Sequence, residues 1–367
     1  MLKLLILDNS STSLYRFRKE LIVALVSAGW LITVSAPNDG FVAKLEELGI
    51  NFINTPVDRH GINPMHDYTL LRRYRSLMCE IWPDIILTYT IKPNIYGNLA
   101  AQNIGVPVMS MVTGLGRSFI KDNKLLHIVK ILYRRAFKKT ARIFFLNRED
   151  MEIMRSARLV SGQEYLLASG EGVNLDEFPV MDYPASPIVS FLYIGRVMRY
   201  KGVGKLIEAA CRLKAEYPDK FSVTLIGCCE SDIEKEVKQA ALNGVIRYEG
   251  FQKNIKSFLL DSHCVVLPSY YKEGLPVSLL EAAACSRPLI ATNISGCREV
   301  VDEGVNGFLC QAGDVSSLYD CMKRFLTISY EQRAEMGELS RRKVETEFDR
   351  RDVVNKMIDS LKQAVSI

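Results

Sequence analysis

"CVVLPSYYKEGLPVSLLEAAACSRPLIATN", residues 264–293, reads as strand, loop, helix and strand in direct succession. "CVVLPS" and "PLIATN" are short runs of the β-branched and leucine-rich kind. "PVSLLEAAAC" between them has helical character, and Pro276 suits a first helical turn, where its missing N–H costs nothing. A strand that reaches its neighbour through a helix runs parallel to it. Two carboxylates interrupt the apolar text, Glu273 in the loop and Glu281 on the helix. Acidic side chains are almost never fully buried without a partner, so both call for one.

The same alternation continues on either side. "LKLLIL", "LITVSAP", "INFINTP", "DIILTYT", "VPVMSMV" and "ARIFFLN" punctuate the first half, separated by helical segments such as "RKELIVALVSAG" and "LLRRYRSLMCEIW". "IVSFLYIG", "SVTLIG" and "VIRYEG" lead up to the quoted unit in the second half. Such alternation predicts parallel sheets with helices on both faces. "GEGVNLDEFPVMDYPASP" breaks it with Gly, Pro and acids and no period, which marks a connection. The expected organisation is a domain over 1–169, a linker over 170–186 and a second domain over 187–347. A terminal helix over 348–367 is expected to pack back toward the first domain. The class is α/β, two doubly wound domains with a ligand cleft where their strand C-termini face each other.

Composition narrows the class further. The chain has 367 residues, 48% of them hydrophobic, enough for two cores. "MLKLLIL" meets Asp8 too soon for a signal-peptide core and reads as a buried first strand. No run reaches the roughly 18 apolar residues of a membrane span. Nine cysteines without metal-type spacing point to unpaired thiols and a reducing, cytoplasmic setting. The net charge of +5 is uneven: residues 1–168 carry 22 Lys/Arg against 14 Asp/Glu. An anionic partner for the first half follows from that excess.

"YIGRVMRYKGV", residues 193–203, supplies the complement to the two glutamates. A strand ends at Gly195, and Arg196 and Lys201 follow in a short loop before the next helix. Two cations there can clamp a diphosphate, Arg in bidentate fashion and Lys as a point charge. The N–H groups of Gly274, Leu275, Val277 and Ser278 lead into a helix N-terminus, a second anion seat. Carboxylates that accept hydroxyl hydrogens complete a set suited to a nucleotide sugar.

These residues resemble glycosyltransferase family 4, retaining transferases of the GT-B fold. "GRVMRYKG" is similar to the family's G-R-x(n)-K-G loop, and Glu273 and Glu281 to its E-x(7)-E motif. The resemblance extends through "GVNGFLCQAGD" and "GEGVNLDEF". It implies that Arg196 and Lys201 hold the donor diphosphate, that Glu281 takes the ribose and that Glu273 takes the donor sugar. Gly195, Phe251, Gly274, Leu275, Val277 and Ser278 are implied as further donor contacts. "LIGCCE" departs from the usual Gly-Asp-Gly-like turn, which leaves Gly227 and Cys228 without an implied role.

"LTYTIKPNIYGNLAAQNIGVPVMSMVTGLGRSF", residues 87–119, resembles transferases that build capsular and related glycans on a polyprenyl-diphosphate carrier. That resemblance implies acceptor contacts from Arg18, Thr90, Lys92, Asn94, Thr113 and Gly114, with the residues after each strand rimming the cleft. The Gly-Gly pair of many relatives is replaced after the first strand by "DNSSTS".

Residues 117–142 hold nine Lys/Arg and one acid. As a helix over 121–142 they would set Lys130, Arg134, Arg135 and Lys138, with Ile128 and Ile131 among them, toward an anionic bilayer. The four histidines are scattered, and no Asp-x-Asp pair occurs, so no metal and no cofactor are expected. The expected activity is retaining transfer from a UDP-sugar (GalNAc, GlcNAc or Gal) to a polyprenyl-diphosphate-linked saccharide, on the inner face of the membrane. A UDP-sugar 2-epimerase and a non-catalytic carrier-lipid-binding subunit are the alternatives on the same fold. Nucleic acid is not an expected partner.

Overall fold

Along β1 (Lys3–Leu7) the side chains alternate between two cores: Leu4 and Ile6 enter one, Leu5 and Leu7 the other. A strand buried on both faces must have a helical layer on each, and the computed structural model shows both. It describes every residue except 60, 62, 116–118, 120–123, 161–163, 168, 271–273 and 366–367.

Two compact units result. The first comprises Met1–Glu171 and Arg351–Ile367, the second Gly172–Arg350. In unit 1, β1 is followed by α1 (Ser11–Ser27), β2 (Leu31–Ala36), α2 (Val42–Glu46), β3 (Asn51–Asn54), α3 (Pro64–Ile81) and β4 (Ile85–Tyr89). A π-helical turn (Pro93–Gly97) then runs into α4 (Asn98–Ala101), β5 (Val108–Val112) and α5 (Lys124–Ala136). A 3-10 turn (Phe137–Lys139), β6 (Arg142–Phe145), α6 (Arg148–Ser156) and β7 (Glu164–Leu167) complete it. The strand order is β3-β2-β1-β4-β5-β6-β7, all parallel.

Unit 2 holds β8 (Val189–Ile194), α7 (Val203–Glu216), β9 (Phe221–Ile226), α8 (Glu234–Leu242), β10 (Arg247–Tyr248) and α9 (Lys256–Leu260). Then come β11 (Cys264–Leu267), α10 (Val277–Ala284), β12 (Leu289–Thr292), α11 (Cys297–Val300), β13 (Gly307–Cys310), α12 (Val315–Thr327) and α13 (Tyr330–Glu347). Its order, β10-β9-β8-β11-β12-β13, is again all parallel. The final helix, α14 (Arg350–Val365), sends Met357, Leu361 and Ala364 into the core of unit 1 beside Leu4 and Ile6.

The order in which strands are added reverses between β1 and β4 in unit 1, and between β8 and β11 in unit 2, while all strands stay parallel. Loops leaving the C-terminal ends of those strands open a crevice, the usual ligand position in such sheets. Residues 172–186 are no detached connector. Val173, Leu175 and Phe178 are buried in the core of unit 2, and the Val173 N–H donates to the Phe348 carbonyl at 2.8 Å.

The first loop of unit 1 is tied down. Ser10 caps α1 by accepting the Ser13 N–H at 3.1 Å. The Asp39 carboxylate accepts from the Thr12 N–H at 2.8 Å and the Ser10 hydroxyl at 2.7 Å, and also pairs with Arg59. Partial burial works against the Asp39 charge, but the Ser11 and Ser10 hydroxyls and the Thr12 amide outweigh it, holding the carboxyl at about 2.

Candidate functional site

In unit 2 the two sequence motifs meet at the crevice. Gly195 follows β8, and Tyr193 Oη donates to the Arg196 carbonyl at 2.7 Å, fixing the backbone under that arginine. The Val197 N–H bonds Cys228 O at 2.8 Å, and the Glu230 N–H bonds Val197 O at 2.9 Å, so the loop is laced to the end of β9. The Arg196 guanidinium itself stands 64% exposed, 3.3 Å from Glu230. An exposed ion pair of that kind is worth at most about 1 kcal/mol, so a ligand anion can displace it.

Lys201 is half-buried and closes a 3-10 turn, Arg199–Lys201, that ends at Gly202 with φ of 78°. A β-carbon on Gly202 would stand 1.9 Å from the Pro268 carbonyl, which follows β11. The Tyr270 N–H also donates to Tyr200 O at 3.2 Å. The loop bearing Arg196 and Lys201 is therefore bound directly to the loop that leads into α10.

Helix α10 begins at Val277, with Pro276 at its N-cap rather than in its first turn. Leu279 and Leu280 donate to the Pro276 carbonyl at 3.0 and 3.3 Å, which leaves the Val277 and Ser278 amides at the helix mouth. Leu279, Leu280 and Ala282–Ala284 are fully buried, whereas Val277, Ser278 and Glu281 are half-buried on one stripe. The half-burial of Glu281 resolves its presence in an apolar run: the helix buries every side but the one that carries it. Gly274 is half-buried and Leu275 buried at the same mouth, while Glu273 lies outside the described residues. Phe251 is half exposed beyond Gly250, whose carbonyl accepts the Gly227 N–H at 2.8 Å.

Unit 1 distributes its predicted acceptor residues differently. Asn94 does not rim any surface: it is completely buried, accepting from Thr88 Oγ1 at 2.7 Å and donating to Met111 O at 2.9 Å. It belongs to a polar chain through Asn98, Ser110 and Thr140 that holds the π-helical turn against β4 and β5. Lys92 is half-buried and paired with Asp67 at 2.6 Å, where Tyr96 Oη also donates at 2.9 Å. Thr90 takes φ of 68°, an uncommon strain for a β-branched residue, and its buried hydroxyl has no hydrogen-bond partner among the described residues. Thr113 and Gly114 lie half-buried just past β5.

Arg18 is buried as well, and its charge is used inside the unit. Its guanidinium lies 3.9 Å over the Tyr89 ring, 2.6 Å from Glu171 and 3.7 Å from Asp8. Asp8 is wholly buried, and burial lifts its carboxyl to about 6 against the pull of Arg18. Asp8 and Glu171 were not singled out from the sequence. The one available signal was a charge set directly after the apolar run of β1.

On α5 the structure reassigns the cations. Arg134 donates to the carbonyls of Arg158 and Ala157 at 3.2 and 3.1 Å, and Lys130 is half-buried. Ile128, Ile131, Arg135 and Lys138 are exposed. His263 is a satisfied core residue, Nδ1 accepting the Ser190 N–H and Nε2 bonded to Ser186 O, both at 3.1 Å. All nine cysteines are unpaired thiols. Among the described residues no helix is long and apolar enough to cross a membrane.

A family model described as glycosyl transferases group 1 matches residues 188–343, and one described as glycosyl transferase 4-like matches residues 3–147. The chain is 28% identical over 334 residues to the N,N'-diacetylbacillosaminyl-diphospho-undecaprenol alpha-1,3-N-acetylgalactosaminyltransferase of Campylobacter jejuni, spanning 85% of this chain and 86% of that one. It is 28% identical over 275 residues to the Escherichia coli UDP-Gal:alpha-D-GlcNAc-diphosphoundecaprenol alpha-1,3-galactosyltransferase, 70% of this chain and 69% of that one. Among solved structures, Anabaena HepE in complex with UDP and glucose superposes with a TM-score of 0.80 at 17% identity, covering 99% and 100% of the two chains. Sucrose-phosphate synthase of Thermosynechococcus elongatus reaches 0.83 at 17% identity, covering both chains fully. These two likenesses carry the fold, GT-B.

Proposed function

We infer the reaction from one premise: this chain is a glycosyltransferase, its second unit belonging to the group 1 glycosyl transferases and its first to the 4-like family. The inferred reaction is transfer of a hexose or N-acetylhexosamine from a UDP-sugar to a polyprenyl-diphosphate-linked saccharide, with retention of anomeric configuration and without a metal. The observation that carries it is the junction in unit 2. The Arg196–Lys201 loop and the loop into α10 are joined by the Tyr270–Tyr200 hydrogen bond and the Gly202–Pro268 contact.

Arg196 and Lys201 receive the donor diphosphate and stabilise it as charge develops on the leaving oxygen. The Val277 and Ser278 amides add the dipole of α10. Glu281 accepts from the ribose hydroxyls, and Glu273 is assigned the donor sugar. The departing phosphate oxygen takes the acceptor proton, so the protein acts chiefly by positioning. Thr90, Lys92, Thr113 and Gly114 are assigned to the acceptor, because they follow β4 and β5 at the same edge of unit 1. The names of the Campylobacter and E. coli relatives support the carrier-lipid class. Nine unpaired thiols and the basic surface of α5 support a cytoplasmic enzyme working at the inner membrane face.

The test is a panel of UDP- and GDP-sugars with a short-chain lipid-diphosphate saccharide, read by mass spectrometry and by NMR of the new anomeric centre. A product of inverted configuration, or an epimerised donor formed without acceptor, would overturn the assignment.

A further inference from the structure

Two helices of unit 1 carry the same surface pattern. On α3, Met65 and Tyr68 stand 71% and 56% exposed, and Arg72 and Arg75 follow each of them by seven residues. On α5 and the 3-10 turn that continues it, Ile128 and Ile131 stand 55% and 48% exposed, and Arg135 and Lys138 follow at the same offset. At 3.6 residues per turn each set of four falls within a stripe of roughly 80–100°. Leu70, Tyr74 and Leu77 fill the opposite side of α3, as Leu126, Val129 and Tyr133 do on α5.

The two stripes lie on one face of one sheet. Side chains of α3 and α4 pack with Leu5 and Leu7, those of α5 pack with Ile143 and Phe145, and Tyr96 touches both clusters. Both helices leave the C-terminal ends of parallel strands, β3 and β5, so they run in the same direction. Their apolar pairs therefore lie toward the edge that holds Thr90, Lys92 and Thr113. Their cations follow roughly 10 Å further along, seven residues at 1.5 Å each.

Among the described residues Arg72, Arg75, Arg135 and Lys138 have no carboxylate partner. Exposed arginines of unit 2 do have one: Arg199 pairs with Glu236, Arg212 with Glu208 and Arg324 with Glu303. A soluble polyanion would neutralise the four cations but leave four large apolar side chains in water. An anionic bilayer satisfies both, with acyl chains meeting the apolar band and headgroup phosphates the basic one.

We propose that α3 and α5 together form one docking surface for an anionic bilayer. The proposal rests on the lipid-linked acceptor reading and names the two-helix surface that brings the enzyme to that lipid. Its test is co-sedimentation of the full chain with vesicles of phosphatidylethanolamine containing about a third phosphatidylglycerol, alongside phosphatidylcholine vesicles. Each cation near an anionic leaflet is worth about fivefold in affinity. Arg72→Gln with Arg75→Gln should weaken binding roughly 10- to 30-fold, and Arg135→Gln with Lys138→Gln by a similar factor. Met65→Ser with Tyr68→Ser should weaken binding to both vesicle types.

Transfer to a short-chain, water-soluble acceptor should stay within about twofold of the unsubstituted chain in all three variants, since none touches the donor loops. Loss of that soluble activity in the unsubstituted chain would strike the reaction itself, not the docking surface. Should a variant fail to fold, the unsubstituted chain still tests the surface, since it should leave the vesicles as salt rises from about 0.05 to 0.5 M. Equal binding to neutral vesicles, salt-insensitive binding, or full binding by the Arg72/Arg75 variant would each overturn the two-helix surface.

Discussion

The carbonyl of Pro268 occupies the space that a side chain on Gly202 would need, 1.9 Å from the would-be β-carbon. This contact sets the end of β11 against the turn that carries Lys201, and it exists only because residue 202 is glycine with φ of 78°. Gly202→Ala should therefore cost at least about 2 kcal/mol, from left-handed strain plus the displaced loop. Transfer activity should fall with it. Urea unfolding would measure the first effect, and a midpoint unchanged within error would disprove the contact's role.

Arg196→Ala and Lys201→Ala should each lower kcat roughly 10²-fold or more, the usual loss when one donor to developing charge is removed. Arg196 is exposed and only loosely paired, so its removal should leave the unfolding midpoint in place. Steady-state kinetics on saturating donor would decide; two variants with near-normal turnover would remove both residues from the diphosphate.

Glu281→Gln should raise the KM for the nucleotide sugar about 10-fold or more, in line with a charged hydrogen bond worth about 1.5–3 kcal/mol. The stripe that Glu281 shares with Val277 and Ser278 motivates this. Calorimetry with UDP alone isolates the binding term. Unchanged UDP affinity would place Glu281 elsewhere.

Asp8 should make unit 1 pH-sensitive. Its folded pKa, raised to about 6 by burial, lies above the ordinary carboxylate value, so its contribution to stability is complete at low pH and is lost as pH rises through 6. Asp8→Asn should flatten the stability–pH slope between about pH 4 and 7 relative to the unsubstituted chain. Thermal unfolding across that range would show it, and parallel slopes would refute it.

Much of this was legible because parallel sheets write themselves as buried runs. "CVVLPS" and "PLIATN" became β11 and β12, the Arg196–Lys201 loop follows the end of β8, and Glu281 lies on the helix between β11 and β12. β7 and β13 went unread: "EYLL" opens on an acid, and "GFLC" opens on a glycine inside the turn-rich "GVNGFLCQAGD". The start of α3 was missed because Asn63 caps it and Pro64 opens it, while "MHDYT" has no inward apolar period: Met65 and Tyr68 are exposed and Asp67 is half-buried. Asn94 and Arg18 deceived in the opposite sense. Polar residues after a strand read as a rim, yet their hydrogen-bond and ion partners lie far along the chain, at Met111 and Glu171. No local pattern encodes such a pairing.

Asp39 has one more consequence. The first helix of each unit follows the first strand of its sheet, and the two helix termini are topologically equivalent. In unit 2, α7 starts at Gly202 with no capping side chain among the described residues. In unit 1, α1 starts under Ser10 and the Asp39 carboxylate, which is held ionised down to about pH 2. An incoming phosphate would meet like charge at α1 and bare amides at α7. The two equivalent helix starts thus differ in charge through one aspartate, and the start of α1 repels an anion where the start of α7 does not.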